Sequence, residues 1–140
     1  MNLSKAVKVV FAATAAGAAT TDVEGAVIDM QGYLGCAFVG RIAVGAAGNF
    51  AYAQQGAASN LSDAADLPDT QTVIADDNDS FLVDVYRPEK RYLRVVVERG
   101  TSTATGDIYA LLYDPVKQPV AHGATVEDTL AVSPDEGTIS

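Results

Sequence analysis

The sequence predicts an all-β fold, a sandwich or barrel of antiparallel strands, on three observations. Residues 92–98 place Leu93, Val95 and Val97 in alternation with Tyr92, Arg94 and Val96, the period of a half-buried strand. Short apolar runs recur along the chain, separated by glycine-, asparagine- or proline-bearing turns. No stretch has helical periodicity: Ala12–Thr21 is rich in alanine, but Gly17 and its threonines work against a helix.

In chain order, Met1–Lys5 followed by an alanine-rich apolar run has the outline of a leader peptide. Lys8 interrupts the apolar part, so Lys5–Thr14 reads as a first strand or an extended arm. The run is too short for a membrane span. After a polar turn at Thr20–Gly25 come Ala26–Met30 and then Tyr33–Val44, an extended run containing Gly35 and Gly40. Gly45–Asn49 reads as a hairpin turn returning into Phe50–Gln54. Residues 55–79 carry six acids and no base, and read as a surface excursion with one helical turn at Ser62–Leu67 and a short strand at Thr70–Ala75.

Phe81–Tyr86 and Tyr92–Glu98 read as a central hairpin closed by Arg87-Pro88-Glu89-Lys90-Arg91, since proline at 88 suits a turn and not a ladder. This hairpin and its flank hold Arg87, Lys90, Arg91, Arg94 and Arg99, five of the nine basic residues. Positive charge concentrated on an acidic protein fits a contact surface or a solubilising turn, and charge alone does not choose between them. Asp107–Tyr113 is the last strand. Pro115 and Pro119 then break regular structure, and the acidic segment from His122 onward reads as a tail ordered only where a neighbour holds it. The core expected from these patterns is Phe38, Leu93, Val95, Val97, Ile108 and Leu111.

The 140 residues fit one domain, with a core at about 23–120, an N-terminal arm or first strand at 1–20 and a C-terminal tail at 121–140. A formal charge of −9 argues against nucleic acid as a partner and favours a cationic one. Cys36 and His122 are the only residues of their kinds, which leaves no disulfide and no clustered zinc site. Asp76-Asp77-Asn78-Asp79 lacks the glycine and distal glutamate of an EF-hand loop, so neither a metal nor a cofactor is expected. No nucleophile, base and orienting group can be assembled, so the chain is not expected to be an enzyme.

Two stretches carry a resemblance. Asp29-Met30-Gln31-Gly32-Tyr33 resembles the D-T-x-G-Y/F opening of small structural proteins of tailed bacteriophages, with methionine where threonine is usual. Lys90-Arg91-Tyr92-Leu93-Arg94-Val95 resembles the K-R-Y-(V/L)-R-V strand of the same proteins, and the likeness spans about residues 23–112. Among them are the capsid cement, or decoration, proteins of podovirus-type phages. The resemblance implies a jelly-roll sandwich with extended N- and C-terminal arms, made in the host cytoplasm and placed on the capsid exterior. Its partners would be the major capsid protein and further copies of itself, as a homodimer or homotrimer, with neither membrane nor nucleic acid. Arg87, Lys90 and Arg91 would be the candidate capsid contact. Another virion position, head–tail or tail, and a secreted β-sandwich that binds a ligand or receptor remain as alternatives.

Overall fold

A computed structural model describes residues 2–139; Met1 and Ser140, at the ends of the expected arm and tail, lie outside the described residues. The elements are a single-turn helix α1 (Leu3–Ala6) followed by β1 (Lys8–Ala13), β2 (Ala16–Ala19), β3 (Val23–Glu24), β4 (Ile28–Asp29), β5 (Tyr33–Arg41), β6 (Asn49–Gly56), β7 (Ala65–Val73), β8 (Ser80–Tyr86), β9 (Tyr92–Arg99), β10 (Thr103–Thr105) and β11 (Ile108–Pro115). All pairings are antiparallel. The chain is an all-β sandwich. One sheet has the order β1-β11-β5-β8. The other runs β3-β9-β6-β7, with β4 also on β9, and the short β10-β2 pair stands apart.

Alternation builds the core between the sheets. From the four-stranded sheet Cys36, Phe38, Val83, Ile108 and Leu112 point inward; Ala51, Ala53, Leu93, Val95 and Val97 meet them from the other. Alanines on β6 let the sheets approach, which is how a chain with few large apolar residues still closes a core. Gly35 and Gly40 are required because the Tyr113 and Phe81 rings occupy the space where a Cβ would stand.

Several expectations need correction. Phe81–Tyr86 and Tyr92–Glu98 are not a hairpin: β8 pairs with β5 in one sheet and β9 with β6 in the other, so the proline turn is an arch across the sandwich. The same holds for Tyr33–Val44 and Phe50–Gln54, whose strands also lie in opposite sheets. The supposed excursion contains a full edge strand, β7, in place of a helical turn at Ser62–Leu67. Pro68 is tolerated because the strand is at the edge and bulges there, and the Thr70 hydroxyl accepts the Ala53 N–H that the bulge would otherwise leave free (2.8 Å). Leu111 is turned outward and Leu112 faces the core, one residue away from expectation. Of the two readings of the N-terminal segment the first strand holds and the extended arm does not, because β1 is hydrogen-bonded along β11.

Residues 116–139 have no regular structure, yet part of this tail folds back on α1. The Val120 N–H donates to the Lys5 carbonyl (3.0 Å), and His122 Nε2 lies 2.9 Å from the Ser4 carbonyl.

A buried arginine holds one end of the sandwich together. Arg99, only 4% exposed, donates to the carbonyls of Thr21, Gly17 and Thr103 and to the Thr21 hydroxyl. It therefore ties the β2 and β10 corner to β9, and is not part of a basic surface.

Candidate interaction surfaces

The outward faces of the two sheets differ in kind. On the five-stranded sheet a polar chain crosses the strands. Arg94 lies 3.4 Å from Glu24 and donates to Gln54 Oε1 (2.6 Å), and Gln54 in turn donates to Asp66 (2.6 Å). These groups partner one another across the face.

The four-stranded sheet is the opposite case. Its register places Phe11 beside Tyr109, Tyr109 beside Val39, and Val39 beside Leu82. That is one apolar side chain from every strand, in a single row across the outer face. All four are exposed, at 44%, 43%, 36% and 60%. Val9, Leu111 and Ala37 form the apolar part of the next row, which ends on Asp84. Beyond it the Tyr86 and Tyr113 rings stack with centroids 6.0 Å apart, and Tyr113 donates its hydroxyl to Asp84. Burial, then that carboxylate, push the Tyr113 phenol above its ordinary range, so the hydroxyl stays a donor. Single exposed hydrophobes are ordinary; a contiguous row is a candidate contact surface.

The basic turn adjoins this face at one corner, and its three candidate residues have different roles. Arg87, in the left-handed region at φ 53°, lays its guanidinium over the Tyr86 ring (5.4 Å). Lys90 is exposed, and its backbone N–H, with that of Glu89, is held by Gln55 Oε1 (3.3 and 3.1 Å). Arg91 grips both oxygens of Asp29 (2.8 Å each) and donates to Gln31 (2.6 Å). This bidentate bond holds the Asp29 carboxyl below the usual carboxylate range, and holds the Arg91 pKa up in return. Arg91 is thus spent within the protomer, tying β9 to the turn that follows β4. Arg87 and Lys90 flank a hollow of about 490 Å³ bordered also by Met30, Tyr33 and Leu34.

The 76–79 acidic turn is pinned internally. Arg41 donates to the Asn78 carbonyl and side chain, and the Gly45 N–H donates to Asp77. Among the described residues no group of three or more His, Cys, Asp or Glu side chains is placed to hold a metal ion. Cys36 is fully buried, and burial with the nearby Asp84 charge pushes its thiol up to about 12.

Sequence reasoning found the basic turn and missed the apolar row. Its signal was present, since Val9-Val10-Phe11 and Tyr109-Ala110-Leu111-Leu112 are apolar at both parities, as a strand with two apolar faces must be. Compared with known proteins, the chain matches no family model and no curated sequence.

Proposed function

We propose that the chain is a bacteriophage virion structural protein of the capsid cement, or decoration, type. In this reading it sits on the capsid exterior and stabilises contacts between major capsid protein subunits. The observation that carries it is the row Phe11–Tyr109–Val39–Leu82, an apolar strip with one residue from each strand of its sheet, opposite a face crossed by a chain of paired polar groups. Along β8 the strip's Leu82 is followed on the same face by Asp84, Tyr86 and, over the Tyr86 ring, Arg87, which supply the polar edge that a protein–protein interface has beside its apolar centre.

Strand order supports the same reading. With β3 and β4 taken as one ladder position and the β2-β10 pair set aside, the eight strands in chain order alternate as 1-8-3-6 and 2-7-4-5. We read this as a jelly roll, an architecture used for viral shell domains. A cement protein needs no reacting group. It needs a stiff scaffold and modest contacts, which repetition over a shell multiplies into stable attachment. Arg87 and Lys90 would meet acidic groups of the capsid protein at the rim, where charge acts mainly on association rate and weakens with salt.

The test is co-sedimentation of the purified chain with intact phage capsids stripped of it. Saturable pelleting with the capsids is expected. A chain that stays in the supernatant at every ratio removes the reading.

A further inference from the structure

Residues 120–131 lie along the half of the outer sheet face that the exposed row leaves free. Beneath them is a cavity of about 780 Å³, with Val7, Val9, Ala37 and Leu111 among its floor residues and Val126 and Leu130 reaching in from the tail. An apolar groove of this size is an incompletely filled seat. Two buried polar atoms at the same place, Ser4 Oγ and His122 Nδ1, find no hydrogen-bond partner among the described residues. Buried polar groups in native proteins are otherwise almost always paired.

The groove and the tail nevertheless suit each other in charge. Lys5 and Lys8 are the basic residues of the N-terminal segment, and Lys5 lies 3.9 Å from Asp128. Beyond Lys117 the tail has no lysine or arginine and carries Glu127, Asp128, Asp135 and Glu136. On a chain of net charge −9, this is a rare place where so acidic a segment meets positive charge.

We propose that two copies of the chain exchange this segment, the tail of each docking in the groove of the other. The complement is established by the molecule itself, because the groove already holds this sequence. What changes is the approach. Within one protomer the tail must double back within a few residues of Pro115, just after Asp114 bends the strand at φ 50°. A tail arriving from a second copy is free of that constraint, so it can seat deeper, fill the cavity and bring a partner to Ser4 Oγ. Exchange of an identical element is a low-cost route to a dimer, and crowding on a lattice favours it further.

The experiment uses full-length chains and no capsid, so it stands or falls separately from the cement reading. Ser4→Cys and His122→Cys are made in separate chains, refolded together at high concentration and oxidised. The native Cys36 does not compete, because it is fully buried. A disulfide-linked dimer joining one chain of each kind is expected as the main product. Unlinked chains from the mixture, with the doubly substituted chain closing on itself as a monomer, would overturn the proposal. Sedimentation supplies a second readout. The unsubstituted chain should run as a dimer, and Leu130→Asp as a folded monomer by circular dichroism. Monomers in both cases would also overturn it.

Discussion

Phe11 and Tyr109 face each other on neighbouring strands, their rings edge to face with centroids 5.4 Å apart, while each keeps over two-fifths of its surface in water. An aromatic pair in that geometry contributes about 0.5–1.5 kcal/mol beyond burial, and less when solvent reaches it. The pair is therefore placed where folding gains little from it and a docking partner would gain more. Phe11→Ser should lower stability by no more than about 1 kcal/mol in urea denaturation.

The inward face behaves in the opposite way. Val95 is fully buried among strands of both sheets. Val95→Asp places an unpaired carboxylate there and should cost about 4 kcal/mol or more, most of the stability of a domain near the low end of the usual range of about 5–15 kcal/mol. Circular dichroism of the purified variant would reveal this directly.

Arg99 is expected to be structural. Replacing it with methionine keeps the apolar stem but leaves the carbonyls of Gly17, Thr21 and Thr103 without their donor. A loss of about 3 kcal/mol is expected on thermal denaturation, and Arg99→Lys should recover only part of it, because an ammonium cannot span the same fork of acceptors.

Asp29 should leave a mark on the pH dependence of stability. Its folded-state pKa is depressed, first by the hydrogen bond from Arg91, so the folded state binds this proton less readily than the unfolded chain. The contribution is fully present above the ordinary aspartate pKa of about 4, and is lost as pH falls through the lower folded value. Melting curves of Asp29→Asn, compared with the parent from pH 6 to pH 2, should converge at the acid end. Parallel curves would mean that the ion pair contributes nothing.

Cys36 offers a probe of opening. With its thiol pushed up to about 12 and its side chain fully buried, native protein at pH 8 should resist alkylation. Labelling measured by mass should appear only as denaturant unfolds the chain.

How far the sequence could be read is clear from particular strands. Alternation at 92–98 correctly places Leu93, Val95 and Val97 in the core, because a half-buried strand records its orientation in its pattern, although Val96 on the other face is buried too. Pairing was not legible. The turns at Gly45–Asn49 and Arg87–Arg91 have hairpin chemistry, yet both are arches, since a tight turn says where a chain bends and not which sheet it enters. Only the second half of β7 was legible, as the short strand expected at Thr70–Ala75, because an edge strand facing water needs few apolar residues, and Asp66, Pro68 and Asp69 resemble a loop. At the candidate surface, charge drew attention to Arg87, Lys90 and Arg91. The apolar row was hidden because its four members lie far apart in sequence, and only the register β1-β11-β5-β8 brings them together.

The rim charges should matter less than that row. Arg87→Ala/Lys90→Ala is expected to leave the melting temperature unchanged and to reduce capsid occupancy modestly at low salt, with the difference fading as ionic strength rises. Occupancy identical to the parent across a salt series would reduce the basic turn to a solubilising one.

The most direct test is capsid occupancy of Leu82→Glu, which puts one charge at the β8 end of the apolar row, its most exposed position, without entering the core. Glu98→Gln, on the opposite face, serves as the matched control. If the four-stranded sheet is the docking face, Leu82→Glu should keep its melting temperature and lose most of its co-sedimentation, while the control binds like the parent. Full occupancy by a folded Leu82→Glu chain would contradict the account.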